Sequence, residues 1–470
     1  MNYPVTRRTV LKSAAAFCAS GLVVPPAAFG AEGRLLLAET RTIEVLGRAA
    51  TVFGLTGVNG IHGVRLDAGE RFDVTLENRT AEATSIHWHG QVPTPEADGT
   101  TETGYVGPVG AGEARRYDFA ARPGTHWMHS HHGLQEQALM AAPLIVRDAE
   151  AVRADVQEVV VLLHDFSFRS PEEILEGLTG SATMDHGAGH GAPMDHSMMA
   201  AGGMDLNDVE FDAYLANDRT LEDPLVVRTE RSGRVRLRVI NGGASTAFWL
   251  ELGENRATVI AVDGNPVEPI TGSRFPLAQA QRIDLLVDVP AGAVVSVFAQ
   301  REGDRARTGV ILAAPGAEIP KFDGMADVAA GPIDMSLEVR LQSTSPLASR
   351  AVDVRHSVML GGSMSPYVWN LDGESWATRR KLEVSSGQRV ELQFMNHSMM
   401  AHPMHLHGHH FQVVEINGKA ISGALRDTVL VPAMAAVTVA FEADNPGRWL
   451  YHCHNLYHMA TGMMSELVYV

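Results

Sequence analysis

The chain has 470 residues, 45% of them hydrophobic and 20% charged, a composition that excludes intrinsic disorder. It is too long for one ordinary core, so about two to four domains are expected. A formal net charge of −17 argues against nucleic acid and anionic lipid as partners and favours cations.

At the N-terminus, Thr6-Arg7-Arg8-Thr9-Val10-Leu11-Lys12 leads into an apolar run over 13–24 and small residues over 27–31. Positive charge, a short apolar stretch and a small-residue cleavage region make residues 1–30 an export signal. The paired arginines point to the twin-arginine route and so to the periplasm. The run is too short to span a bilayer, with a retained anchor as the alternative. Removing Arg7, Arg8 and Lys12 with this acid-free segment takes the charge to about −20. No later segment reads as transmembrane, and a monomer without membrane contact is expected after removal.

Further on, short strand-like runs separated by Gly, Pro and Asp turns dominate, at 71–77, 159–164, 234–240, 282–287, 389–394, 411–416 and 437–441. This pattern predicts an all-β chain of sandwiches or barrels. Arg234-Val235-Arg236-Leu237-Arg238 reads as a half-exposed strand with its arginines towards solvent. Before that run, residues 184–204 are rich in Met184, His186, His190, Met194, His196, Met198, Met199 and Met204. Their Gly, Ala and His surroundings cannot build a packed core, so a surface loop is expected. Thioethers and imidazoles are donors that soft Cu(I) accepts, which makes the loop a candidate accessory copper site; a plain insertion is the alternative.

Histidines recur at His-X-His spacing in His87-Trp88-His89, His129-Ser130-His131, His405-Leu406-His407, the overlapping His407-Gly408-His409, and His452-Cys453-His454. Random placement of 21 histidines would give roughly one such pair. On a strand each pair presents both rings on one face, so four pairs can bring eight imidazoles to one place, too many for a mononuclear site. That number suits several copper ions sharing bridging oxygen species, with zinc as the competitor.

Cys18 lies in the leader, which leaves Cys453 as the only cysteine of the mature chain, without an intramolecular disulfide partner. On a strand its sulfur projects away from His452 and His454, so one tripeptide can serve two metal sites back to back. With His402, His458 and Met463 it offers two imidazoles, a thiolate and a weak thioether, the donor set of a blue-copper electron-transfer centre. Zinc accounts for isolated His pairs but not for this set.

His87-Trp88-His89-Gly90, Trp127-Met128-His129-Ser130-His131, His402-Pro403-Met404-His405-Leu406-His407-Gly408, and His452-Cys453-His454 with His458 and Met463 resemble, in order and spacing, the four copper-binding motifs of the multicopper oxidases. Asn445-Pro446-Gly447-Arg448-Trp449 ahead of the last motif is also similar to the family. His458-Met459, the insert and the twin-arginine leader are similar to bacterial copper-resistance protein A and laccase-like enzymes. The resemblance implies three cupredoxin-like Greek-key β-sandwich domains, at about 34–150, 151–325 (carrying the insert) and 326–470. It implies four copper ions. His402, Cys453 and His458 would hold the type 1 ion with Met463 axial, Met464 being one residue out of the spacing; His87 and His405 would hold type 2. The type 3 pair would be held by His89, His129 and His454 and by His131, His407 and His452. These ligands fall in the first and third domains, so the cluster must cross their interface, with the middle domain holding them in place.

The implied activity is oxidation of a reductant one electron at a time at the type 1 ion. Electrons then pass through Cys453 and its neighbours His452 and His454 to a cluster that reduces dioxygen to water. Asp98, nine residues after His89, matches the family's acidic residue near the cluster, where it would orient water and relay protons. A turn aspartate before Gly99 is the alternative. Met459 stands where certain members carry a carboxylate, which weakens a proton path there. His126, His132, His409 and His410 flank the motifs and are read as surrounding residues. Met395, Met399, Met400 and Met404 line either a copper-approach surface or the core. Three functions follow: a cuprous oxidase in copper tolerance with laccase-like action on phenols, a dedicated laccase-type phenol oxidase, or a copper-sequestering protein without turnover. A two-copper nitrite reductase would leave several His pairs unused.

Overall fold

The computed structural model describes residues 33–154, 156–180, 206–230 and 233–470. The leader at 1–30 and the metal-rich insert at 184–204 lie outside the described residues. No helix among the described residues is long and apolar enough to cross a membrane.

Each of the strand-like runs read from the sequence lies in a strand, and the strands pair into three two-sheet sandwiches. In the first, Arg48–Gly57, Arg34–Val45, Arg71–Asn78 and Ala114–Ala120 form one sheet, and Val64–Leu66, Ala141–Val146, Gly124–Ser130 and Ile86–His87 the other. Alternation sets the faces: Phe72, Val74 and Leu76 point inward from Arg71–Asn78 and meet Met128, Ala142 and Leu144 from the opposing sheet. The middle sandwich packs Val235, Leu237, Val239 and Leu285 against Val295, Val297, Val310 and Leu312. The third packs Val390, Leu392, Phe394 and Val439 against Met404, Leu406, Tyr451 and Cys453. One motif repeats in all three, a first long strand running parallel to a later neighbour: Arg34–Val45 with Arg71–Asn78, Gln157–Phe166 with Arg234–Asn241, and Val354–Met364 with Arg389–Asn396.

Three details depart from the sequence reading. Arg238 is not on a solvent face: it is buried and donates to Thr125 Oγ1 and Asp284 Oδ2, both at 2.9 Å, because the first sandwich covers that side of the sheet. The third sandwich begins its first strand only at Val354, and before it Leu337 and Leu341 lie in the middle core. The chain flanking the insert crosses the other way. Helix Pro171–Thr179, started by a capping box on Ser170 and Glu173, places Ile174 in the third core, and Val209 joins it there.

Candidate metal centres

The His pairs straddle strand ends rather than sitting wholly within strands. Ile86–His87 and Gly124–Ser130 pair in register, with His87 opposite His129. In the third sandwich His402–Leu406 lies beside Arg448–Cys453, which sets His405 opposite His452 and Met404 opposite Cys453. Directly opposed residues on antiparallel strands hold their side chains together, so each sandwich offers a preformed histidine patch. The two patches meet: the His87 and His407 ring centroids are 3.9 Å apart, His89 and His405 3.8 Å, and His129 and His454 4.9 Å. All eight rings are buried.

Seven of the eight rings are tied by a hydrogen bond through one nitrogen or stand against a carboxylate, and His454 has only a longer contact. His87 Nδ1 donates to the Asp98 carbonyl at 3.1 Å, His405 Nδ1 to the Asp427 carbonyl at 2.8 Å, and His452 Nδ1 to the Cys453 carbonyl at 2.9 Å. His131 Nδ1 lies 2.8 Å from Glu102 and His407 Nδ1 3.0 Å from Asp98 Oδ2. Glu136 Oε2 is 2.7 Å from His129 Nδ1, while its Oε1 is 3.8 Å from His454 Nδ1. His89 alone is tied by Nε2, 3.1 Å from Asp427 Oδ1. The second nitrogens converge: His87, His129, His131, His405 and His454 present Nε2, and His89 presents Nδ1, all buried and without a hydrogen-bond partner. The remaining two, His407 and His452, face each other through Nε2 at 3.0 Å.

Buried acceptors left bare are costly, and so many aimed at one point fit metal ions. Burial pushes His89, His129, His405, His407 and His452 well below the usual imidazole range and His454 to about 3, so these rings keep the neutral form that ligation needs. Burial also works against a charged His131, yet the Glu102 carboxylate outweighs it and raises that ring. Triads such as His131, His407 and His452, or His87, His405 and His407, bring their ligand atoms within 4.8 Å of one another.

Cys453 Sγ lies on the other side of its strand, 3.7 Å from His402 Nδ1 and 3.6 Å from His458 Nδ1, and the two nitrogens are 3.1 Å apart. His402 opens its strand, and His458 sits on helix Leu456–Ala460, capped by the Asn455 side chain. Their outer nitrogens are held by Ser398 Oγ at 2.8 Å and Asp208 Oδ2 at 3.2 Å. Met463 is buried in the same cluster, and its carbonyl accepts the Cys453 amide at 3.0 Å, whereas Met464 begins the next strand opposite His452. Burial pushes the Cys453 thiol up, so a thiolate here calls for a cation beside it.

Family models for multicopper oxidases match residues 38–151, 158–310 and 352–470. The chain is 33% identical over 431 residues to multicopper oxidase MmcO of Mycobacterium tuberculosis, covering 88% of this chain and 83% of that protein. The chain belongs to the multicopper oxidase family. Copper resistance protein A of Escherichia coli is 26% identical over 578 residues, covering 95% of this chain and 94% of that one. Fet3p, described as a multicopper oxidase that functions in iron import, superposes with a TM-score of 0.75 at 18% identity, covering 93% of this chain and 90% of that one, and shares the cupredoxin-like fold.

In this multicopper oxidase the four motifs stand together, and Asp98 lies 3.0 Å from His407 Nδ1 through Oδ2 and 3.3 Å from His87 Nδ1 through Oδ1, which makes no hydrogen bond. The insert from Met184 to Met204 falls outside the described residues. His409 and His410 are engaged elsewhere, with Tyr469 and with Asn265 and the Gly90 carbonyl. Met404 is core, while Met399 and Met400 line a cavity of about 230 Å³ together with Met335, Asp334, Glu302 and Asn455. Sequence reasoning passed over Asp208, Glu102, Glu136 and Asp427. For Glu136 alone a local signal existed, five residues after His131.

Proposed function

We propose that this oxidase draws electrons singly from a reductant at a site built on Cys453 and reduces dioxygen to water at a cluster held by eight histidines. Cu(I) is its reductant in copper tolerance, with laccase-like action on phenols beside it. The observation that carries this reading is the inward turn of the eight rings against a thiol one peptide bond from two of them. Bound copper, four ions in all, would supply the redox chemistry: four one-electron oxidations provide the four electrons, and four protons drawn from solvent complete the conversion of one dioxygen into two waters. His402, Cys453, His458 and Met463 hold the type 1 ion, and His87 and His405 the type 2 ion. His89, His129 and His454, and His131, His407 and His452, hold the type 3 pair.

The chain's own groups do the rest. Cys453 gives a covalent route from its sulfur to the His452 and His454 rings. Asp98 orients His407 through Oδ2 and His87 through its carbonyl, and its Oδ1, near His87 Nδ1 but without a hydrogen bond, is placed to pass protons inward. Burial of all eight rings keeps bulk water out of the cluster.

The cavity lined by Met335, Met399 and Met400 supports Cu(I) as reductant, because thioethers beside Asp334 and Glu302 suit a soft cation. Its walls include Ser245 and Asn455, both bonded to Asp208, which holds His458. Relatives named for copper resistance and the leader-like residues 1–30 favour the same role in the periplasm. The apolar part of the lining, Ala247, Pro332, Ile333 and Leu430, favours phenols as a second class. Oxygen uptake by fully copper-loaded protein, offered Cu(I) or a phenol, tests the reading: uptake with both, faster with Cu(I), is expected. Uptake with phenol alone marks a dedicated phenol oxidase, and copper loading without uptake marks a sequestering protein.

A further inference from the structure

We propose that Arg282, on the middle sandwich, is a positioning residue for the cluster: by holding the Asp427 carboxylate it sets the ring of His89, which alone of the eight presents Nδ1. The proposal rests on the cluster assignment above. The middle sandwich supplies none of the eight rings, yet Arg282 opens its strand Arg282–Asp288 fully buried at the junction of all three sandwiches. Its Nη1 donates to Asp427 Oδ1 at 2.7 Å and its Nη2 to Asp427 Oδ2, a two-pronged grip on a residue of the third sandwich. Its Nε donates to the Thr125 carbonyl of the first sandwich at 3.1 Å. A reciprocal pair locks the same joint, Arg426 of the third sandwich donating to Asp263 Oδ2 of the middle one at 3.1 Å.

Asp427 passes this grip to the cluster from both ends. Its Oδ1 lies 3.1 Å from His89 Nε2, and its carbonyl accepts His405 Nδ1 at 2.8 Å. A carboxylate held in such a fork only accepts, so His89 donates from Nε2 and turns the Nδ1 lone pair to the cluster. Gly90, next to His89 at φ +86°, leaves the room this needs: a Cβ there would stand 2.5 Å from Arg282 Nη2 and 2.9 Å from Asp427 Oδ2.

The test reads total copper and blue absorbance per chain in the copper-loaded full-length protein and in Arg282→Met and Arg282→Lys. Loss of a hydrogen-bonding partner behind a metal ligand weakens metal affinity about 10–100-fold. Arg282→Met should therefore keep the blue absorbance of its folded fraction while copper per blue centre drops from about four to three or fewer. Lysine, with charge but no fork, should restore only part. An unchanged copper-to-blue ratio in Arg282→Met overturns the proposal, as does a parallel fall of copper, blue absorbance and melting temperature, which marks a merely structural ion pair. Should Arg282→Met not fold, Asp427→Asn breaks the fork at similar shape, and the same ratio decides. A parent protein that binds one copper or none would instead overturn the cluster assignment itself.

Discussion

Asp208 Oδ2 stands 3.2 Å from His458 Nε2, and so a residue just past the metal-rich insert holds the outer edge of the ring whose inner edge faces Cys453. Asn455 and Ser245 donate to the same carboxylate, which is fully buried. Asp208→Ala should free the ring, weaken copper at the thiolate site roughly 10–100-fold and lower the blue absorbance at limiting copper. Copper titration followed by visible absorption checks this; an unchanged titration curve would remove Asp208 from the site.

Cu(I) chemistry should depend on thioethers that phenol oxidation does not need. Deleting residues 184–204, or replacing Met335 and Met399 together by Leu, is expected to raise KM for Cu(I) about tenfold, equivalent to ~1.4 kcal/mol, with phenol kinetics held within twofold. Steady-state oxygen uptake with the two donors measures it. Equal effects on both donors would reject a dedicated cuprous route.

Asp98→Asn keeps the shape and an acceptor for His407 but removes a proton carrier. Turnover should fall roughly 100-fold while copper content stays at the parental value. Copper lost in step with activity would make Asp98 a structural residue only.

Much of this site was legible because strand periodicity is local. His452, Cys453 and His454 declare two faces within three residues, and the His-X-His pairs declare their shared side. Arg282 and Asp427, behind His89, carry no such signal. Arg282 and Asp427 are 145 positions apart, and His89 and Asp427 338 apart, so only the docked sandwiches reveal the contact. Arg238 was misplaced for the same reason. Its strand alternates as expected, but the face taken for solvent is covered by Thr125 of another sandwich. The strand runs themselves were readable, since inward positions such as Phe72, Val74 and Leu76 alternate with polar neighbours.

Away from the metal centres, His164 makes a pH prediction. It is buried with Nδ1 on the Gly242 carbonyl at 2.9 Å and Nε2 unpartnered, and burial lowers it to about 4. The folded ring is neutral, whereas the unfolded ring takes its proton near pH ~6.5. Between these values the unfolded chain holds the extra proton, so stability is full above ~6.5 and declines by ~1.4 kcal/mol per pH unit on acidification. In His164→Asn the drop in melting temperature from pH 7 to pH 5 should be visibly smaller than in the parent. Identical slopes would show that this ring does not titrate with unfolding.

Cys453 is the proposed link between the two centres, and Cys453→Ser tests that link most directly through visible absorption, copper content and oxygen uptake on the same sample. The expected result is loss of the blue absorption and of uptake with every reductant, about one copper fewer per chain, and a melting temperature close to the parent's. A Cys453→Ser protein that stays blue, or that still reduces oxygen at the parental rate, would contradict it.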